Sequence, residues 1–124
     1  MSLSLVVPAF NEAGVVGDSV RRIDAFLADF GWEYEILVGD DGSVDGTADE
    51  VTALGLDTVR VVRRPHRGKG AILTSALMET QGRYAGFIDA DLEIDVSYLP
   101  TFVEALDDGF DVAIAGDRPA VRTV

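Results

Sequence analysis

The chain has 124 residues, of which 48% are apolar, so it can form one folded domain with a hydrophobic core rather than a disordered segment. It contains no cysteine, which excludes disulfides and thiolate metal sites. Its formal net charge of −12 disfavours nucleic acid and anionic membrane surfaces as partners.

Two further properties of the composition concern location. No apolar run approaches the ~18 residues of a membrane-spanning helix, and the first ten residues lack the basic region of a secretory signal, so we expect a cytoplasmic protein. Acidic residues outnumber basic ones, and Lys69 is the only lysine. A strongly acidic, lysine-poor composition is typical of adaptation to high salt. A GC-rich genome, which replaces lysine with arginine, would explain the scarcity of lysine equally well.

Short apolar runs alternate with segments of helical periodicity along the chain. In chain order the sequence predicts a strand at 3–8, a helix at 13–30, a strand at 34–39, a helix at 46–54, a strand at 58–62, a helix at 69–80, a strand at 84–88, a helix at 97–107 and a strand at 111–116. Because continuously apolar strands alternate with helices, we expect a three-layer α/β/α fold with a mostly parallel central sheet.

Polar and mostly acidic residues follow four of the five predicted strands. Phe10, Asn11 and Glu12 follow the first, Asp40 and Asp41 the second, Asp89 and Asp91 the fourth, and Asp117 and Arg118 the fifth. Open α/β sheets bind ligands at the carboxyl ends of their strands. This one-sided placement therefore favours a site at that edge of the sheet.

The segment FIDADLE, residues 87–93, carries the strongest chemical signal. Asp89, Asp91 and Glu93 alternate along it, so on an extended segment their side chains would point the same way. Carboxylate oxygens are ligands that suit Mg²⁺ or Mn²⁺, and a cation held there can neutralise a phosphate. The segment therefore predicts a metal-assisted reaction on a phosphorylated substrate, although a capped turn would also explain one of the acids.

Two glycine-containing loops add candidate binding groups. In the loop after Asp40 and Asp41, Asp45 is predicted to cap the next helix, while Asp40 is the candidate for hydrogen bonding a base or ribose. Gly68-Lys69-Gly70 opens the following helix, where backbone N–H groups and the lysine suit an anion. His66, the only histidine, is expected to be exposed and to have no catalytic role.

Five motifs, VVPAFNE, VGDDGSVDGT, RGKGAILTSAL, FIDADLE and AGDR, follow one another along the chain. Together they resemble the N-terminal half of an inverting glycosyltransferase of family 2 with the GT-A fold. Within that family they are most similar to the polyprenyl-phosphate (dolichol-phosphate) sugar synthases that use GDP-mannose or UDP-glucose. The resemblance implies a hexosyltransferase with Mg²⁺ or Mn²⁺ as cofactor.

The resemblance also implies roles for individual residues. The donor-binding positions would be Pro8, Phe10, Glu12, Val38, Asp40, Lys69, Asp89, Ala90 and Asp91. The metal would be held by Asp89, Asp91 and Glu93, with Asp91 as the principal ligand. Asp91 and Arg118 would be the catalytic residues, with Arg118 contacting the donor or acceptor phosphate, although Asp117 stands where the family has serine.

By the same resemblance, residues 1–124 form a single nucleotide-sugar-binding domain that lacks the C-terminal acceptor-binding segment of such enzymes. The implied partners are a nucleotide-sugar donor and a lipid-phosphate acceptor, with no nucleic acid. Peripheral association with the cytoplasmic face of a membrane would follow from the lipid acceptor. A polyprenyl phosphate is already an anion, so its transfer reaction would need no general base.

Three alternatives stay open at the level of sequence. A nucleotide-sugar-binding remnant without transfer activity would carry the same motifs. A receiver-type signalling module has a similar length and alternation, but it needs a lysine after the fifth strand, and Lys69 precedes FIDADLE. A phosphatase with an aspartate nucleophile would have Thr or Val where Leu92 stands.

Overall fold

The computed structural model describes residues 2–92, 96–109, 112–113 and 120–121. The chain forms two compact units, residues 1–93 and residues 94–124. The first unit contains β1 (Ser2–Ala9), α1 (Val16–Phe30), β2 (Glu33–Asp40), α2 (Thr47–Thr52), β3 (Val59–Arg63), α3 (Lys69–Leu77) and β4 (Tyr84–Phe87). The second contains a 3₁₀ turn (Val96–Tyr98), α4 (Leu99–Asp107), β5 (Val112–Ala113) and β6 (Ala120–Val121). The expectation of a single domain stays a prediction.

The strands of the first unit form one parallel sheet in the order β3-β2-β1-β4. Leu5 of β1 pairs with Ile36 of β2 on one side and with Gly86 of β4 on the other. The chain moves in one direction from β1 through β2 to β3, and then returns across the sheet to β4. Because such crossovers are right-handed, α1 and α2 cover one face and α3 covers the other. The predicted three-layer α/β/α fold with a parallel sheet is confirmed.

Both faces of this sheet are packed against apolar side chains. On one face, the core cluster consists of Val6, Leu37, Val62 and Ala76, with Leu73 packed against it. On α1, the fully buried residues recur at helical spacing and are Val16, Val20, Ile23 and Leu27. Successive strand residues such as Leu5 and Val6 are both buried, because adjacent side chains point to opposite covered faces. This explains why the strands are continuously apolar in sequence.

The helices begin or end differently from the predicted bounds. α1 begins at Val16 rather than at 13, because Gly14 adopts a φ of +87° that is incompatible with a right-handed helix. α3 ends at Leu77 rather than at 80, where tighter turns follow through hydrogen bonds from Glu79 to Ala76 and from Thr80 to Leu77. Within the parts of the chain that the structure describes, no helix is long and apolar enough to cross a bilayer.

The strand predicted at 111–116 was expected to pair in parallel, but its described residues pair differently. Its described part, Val112–Ala113, pairs antiparallel with Ala120–Val121, a strand that the sequence did not predict. The intervening residues, 114–119, are too few for a parallel crossover, which needs about a dozen or more. The rest of the predicted strand lies outside the described residues.

Glu35 on β2 makes contacts with β1, with β3 and with the turn before β4. Its Oε2 accepts hydrogen bonds from Ser4 Oγ on β1 at 2.6 Å and from the backbone N–H of Gln81, before β4, at 2.7 Å. Its Oε1 lies 3.4 Å from the guanidinium of Arg60 on β3. Burial by itself would raise the pKa of Glu35, but these donors outweigh it and lower the pKa below its ordinary value.

We expect Glu35→Gln to reduce the free energy of unfolding by about 1.5–3 kcal/mol at neutral pH, as for hydrogen bonds to a charged group. Because the folded-state pKa is lowered, this contribution is complete above the unfolded-state pKa of about 4.3 and is lost as pH falls through the folded-state value. Urea unfolding across that range measures it. The matched control Glu33→Gln changes an exposed acid on the same strand; equal losses in both variants would contradict the role of Glu35.

Candidate functional site

Side chains from the ends of three neighbouring strands and from the start of α3 line one cavity of about 140 Å³. The lining residues are Pro8, Ala9, Phe10, Glu12, Asp41, Lys69, Ile72 and Asp89. The cavity lies where the chain leaves β1 toward one face of the sheet and reaches β4 from the other. Such switch points are where open α/β sheets bind ligands. The structure therefore brings together five of the predicted donor-binding residues: Pro8, Phe10, Glu12, Lys69 and Asp89.

The loop after β1 is held by side chains of the loop after β2 and of the first residue of α2. Three successive backbone N–H groups donate across the gap: Asn11 to Ser43 Oγ at 2.8 Å, Glu12 to Thr47 Oγ1 at 2.9 Å, and Ala13 to Asp45 Oδ2 at 3.1 Å. Backbone donors away from regular structure need such partners. These contacts fix the backbone on both sides of the Glu12 side chain at the cavity.

Two acids of the β2–α2 region also hold the starts of helices. The N-cap residue of α2 is Gly46 rather than the predicted Asp45, and α2 has no side-chain cap hydrogen bond; Asp45, one position earlier, accepts the backbone N–H of Thr47 at 3.1 Å. Glu50 accepts the N–H groups of Gly14 and Gly17, each at 2.7 Å. A carboxylate at the N-terminus of α1 satisfies its donors and complements its dipole.

Asp40 and Asp41 both lie at the end of β2, but only Asp41 lines the cavity. Asp40 is completely buried, its Oδ1 accepts the backbone N–H of Ser43 at 3.2 Å, and its Oδ2 lies 3.4 Å from Arg63 Nε without a hydrogen bond. Successive side chains at a strand end point in opposite directions, so one of the two faces the interior. Asp40 therefore does not reach the cavity, and its contact with a base or ribose stays a prediction.

Asp41 is held by the segment that leads into α3. Its carboxylate accepts the backbone N–H groups of Arg67 at 2.9 Å and Gly68 at 3.0 Å, and Oδ2 lies 2.8 Å from His66 Nδ1. Burial would raise the pKa of Asp41, but these donors and the His66 ring outweigh it and lower the pKa. The His66 ring also stacks on Phe10, with ring centroids 4.2 Å apart. A lone histidine gives no sequence signal for such a pairing.

Negative charge is crowded where β1 and β4 end. Burial, followed by the charges of Asp91, Asp89 and Asp45, raises the pKa of Glu12 above its ordinary value. Lys69 places a positive charge beside this acidic cluster, since its Nζ lies 2.6 Å from Asp89 Oδ1. The arrangement can attract a divalent cation and, through Lys69, an anion such as a diphosphate.

A buried serine fixes the turn that carries Asp89 and Asp91. The N–H of Leu92 donates to the carbonyl of Asp89 at 3.0 Å, and Leu92 adopts a φ of +52°, which is uncommon for a residue other than glycine. Ser19 on α1 is 5% exposed and donates its hydroxyl to the carbonyl of Ala90. The sequence of a helix does not show which serine donates to a distant carbonyl. Ser19 was therefore missing from the predicted site.

Several predicted site residues do not line the cavity. Val38 is fully buried within β2, and Ala90 is buried beside Ser19. Glu93 and Arg118 lie outside the described residues. Among the residues that the structure describes, no group of three or more His, Asp or Glu side chains is arranged to hold a metal ion. The metal site of Asp89, Asp91 and Glu93 therefore stays a prediction.

The parallel sheet and the charged cavity at its switch point define an α/β domain of the kind that binds ligands at its strand ends. Residues 4–122 match the family described as Glycosyl transferase family 2, and the chain belongs to this family. The resemblance seen in the five sequence motifs is confirmed.

Two curated relatives and one solved structure illustrate the similarity. The chain is 33% identical over 114 residues to undecaprenyl-phosphate 4-deoxy-4-formamido-L-arabinose transferase of Klebsiella pneumoniae (strain 342), covering 89% of the chain and 35% of the relative. It is 33% identical over 116 residues to dolichol-phosphate mannosyltransferase of Pyrococcus furiosus, covering 92% and 32%. The chain thus spans about a third of the length of these relatives.

The solved structure is that of glucosyl-3-phosphoglycerate synthase from Mycobacterium tuberculosis in complex with Mn²⁺, UDP and phosphoglyceric acid. It superimposes with a TM-score of 0.68 at 33% identity, covering 85% of this chain and 38% of that one. The similarity confirms the GT-A type of nucleotide-sugar transferase fold.

Gly42, directly after Asp41, offers a test of the packing that holds Asp41. It has a φ of +76°, and an added Cβ would lie 2.6 Å from the backbone N of His66, whereas Gly46, at φ +90°, has open space around it. Both alanine variants share the cost of the left-handed conformation, about 1–2 kcal/mol. We expect Gly42→Ala to lower the free energy of unfolding further than Gly46→Ala, as measured by urea denaturation; equal losses would contradict the close approach of the two loops.

We expect Ser19→Ala to lower the free energy of unfolding by about 1–3 kcal/mol, because it leaves the buried carbonyl of Ala90 without its donor. It should also speed hydrogen exchange at the Leu92 amide, whose hydrogen bond closes the turn. NMR-detected exchange measures this effect. Ser75→Ala, at a half-buried serine of α3, is the control. Unchanged exchange at Leu92 in Ser19→Ala would show that Ser19 does not position the turn.

Proposed function

We propose that this chain is the donor-binding part of a hexosyltransferase that transfers a hexose from GDP-mannose or UDP-glucose to a polyprenyl phosphate, with inversion at the anomeric carbon. The observation that carries the proposal is the meeting of Lys69, Glu12 and Asp89 in one cavity at the ends of β1 and β4. Family membership and relatives named as undecaprenyl- and dolichol-phosphate transferases support the substrate class.

The chemistry of the acidic residues at the cavity, rather than an assembled set of ligands, supports a divalent cation with oxygen ligands. Burial raises the pKa of Glu12, and the charges of the neighbouring acids raise it further, so a cation there would relieve repulsion. Hard oxygen donors of this kind suit Mg²⁺ or Mn²⁺. In the proposal Asp91 and Asp89 hold the metal, and Glu93 completes the set. The bound metal would neutralise charge that develops on the leaving diphosphate.

The chain's own residues bind and orient the donor. Lys69, at the first position of α3, offers its ammonium group and the helix N-terminus to the diphosphate. Asp41, which pairs with His66, and the stacked rings of Phe10 and His66 are proposed to contact the nucleobase. Arg118 is proposed to contact the donor or acceptor phosphate.

A polyprenyl-phosphate acceptor requires no general base from these residues. A polyprenyl phosphate attacks through an oxygen that is already anionic, so no side chain has to remove a proton. What an acceptor needs is orientation toward the anomeric carbon, which can contribute several powers of ten in rate. A lipid acceptor would place the reaction at the cytoplasmic face of a membrane, with peripheral association of the protein.

Calorimetry with Mn²⁺ and GDP or UDP tests the donor site. Asp91→Ala should weaken nucleotide binding in the presence of Mn²⁺ by at least about tenfold, since losing even indirect partners of a metal site costs that much. Binding without metal should not change. Asp57→Asn, at an exposed acid before β3, is the control. Equal nucleotide affinity in wild type and Asp91→Ala, with and without metal, would contradict the proposal.

The same titrations compare GDP with UDP and so identify the base. Transfer is then measured with the preferred nucleotide sugar and a polyprenyl phosphate. Nucleotide binding without transfer to that acceptor would instead favour a sugar-nucleotide-binding protein that lacks transfer activity.

A further inference from the structure

Lys69 forms an ion pair with Asp89 at the charged cavity. Its Nζ lies 2.6 Å from Asp89 Oδ1, at ion-pair distance, and 5.4 Å from the centroid of the Phe87 ring. Phe87 is the last residue of β4, so the ammonium group lies over the strand end that carries the acidic turn. Asp89 is also one of the carboxylates to which the proposed function assigns the metal. A cation of the protein therefore already neutralises a proposed metal ligand.

The side chain of Lys69 has the freedom to leave this position. It is 54% exposed, and the Asp89 side chain is 44% exposed, so neither group is enclosed by packing. A lysine ammonium sits on a flexible four-carbon stem and can redirect its three donors. Because Lys69 begins α3, a shift of its side chain requires no change in the helix itself.

We propose that Lys69 is an exchangeable counter-ion of the donor site. In the free protein it neutralises Asp89, and when a divalent cation binds to Asp89 and Asp91 it leaves Asp89 and pairs with the diphosphate of the donor. The inference rests on the proposed function, since it needs both ligands. Its physical basis is charge: an ammonium group and a divalent cation repel each other strongly at one carboxylate, whereas a diphosphate offers the released ammonium a new partner.

This exchange couples metal binding to nucleotide binding. A divalent cation that binds alone must displace Lys69 and leave it without a partner, so its affinity is low. With the nucleotide present, the displaced ammonium is paired again, and the metal binds more tightly. By thermodynamic linkage the metal raises nucleotide affinity by the same factor. Lys69 thereby makes the site selective for metal and diphosphate together over free metal.

Calorimetric titration of Mn²⁺ alone tests the first half of the exchange. Lys69→Met should bind Mn²⁺ about fivefold or more tightly than wild type, a size typical of coupling between sites, while its affinity for GDP or UDP in Mn²⁺ falls. Arg67→Met removes a nearby exposed cation that is not paired with Asp89 and controls for the general electrostatic effect. Lys69→Met that binds Mn²⁺ no more tightly than Arg67→Met would overturn the exchange.

NMR tests the movement in the wild-type protein. Because Lys69 is the only lysine, ¹³C-lysine labelling gives a single side-chain Cε signal. That signal should shift when Mg²⁺ is added and shift again when GDP or UDP follows, and in metal-free Asp89→Asn it should already lie near that of an unpaired lysine. A signal that stays in place while Mg²⁺ and nucleotide bind overturns the exchange and leaves the proposed function intact. If neither ligand binds, both proposals fail.

Discussion

The hydrogen bonds between the loop after β1 and the loop after β2 are the constraint on which the cavity depends. The N–H groups of residues 11–13 lie outside regular secondary structure, and side chains of Ser43, Asp45 and Thr47, the first residue of α2, supply their acceptors. Glu50 extends the same contact to the start of α1. α1 in turn carries Ser19 to the carbonyl of Ala90, between the two aspartates of the acidic turn. A contact between two loops thus sets the position of groups on three strand ends.

The direction of the pKa shifts separates two kinds of acid in this protein. Asp41, Asp45 and Glu35 have lowered pKa values, because hydrogen-bond donors hold each as a carboxylate; for Asp45 the main donor is the side chain of Thr47. Glu12 has a raised pKa, because burial and three neighbouring acids oppose its charge. The first kind stabilises the fold. The second kind marks a place where negative charge is tolerated without full compensation, as is common where a protein binds a cation or acts on a ligand.

The sequence predicted the order and type of the elements in residues 1–93 well, because apolar periodicity reports directly which faces are covered. It also predicted that residues such as Phe10, Glu12, Lys69 and Asp89 would meet, since all follow strands or open a helix at one sheet edge. It did not predict the pairing of Ala120–Val121 with Val112–Ala113, because two-residue strands carry too little periodicity. The roles of Ser19 and His66 were also missed, since each depends on a partner distant in sequence.

The sequence by itself determined the parallel α/β class, the family and the edge of the sheet at which polar groups gather, because alternation, motifs and strand ends are all local in the chain. Only the tertiary structure decided which of two adjacent aspartates lines the cavity. Asp40 and Asp41 are buried neighbours of identical chemistry, and they differ in the direction of their side chains and in their partners, Arg63 for Asp40 and His66 for Asp41. The pairing of Lys69 with Asp89 likewise depends on the tertiary structure. Two charges attract strongly only within a few ångströms, and their separation in sequence does not determine that distance.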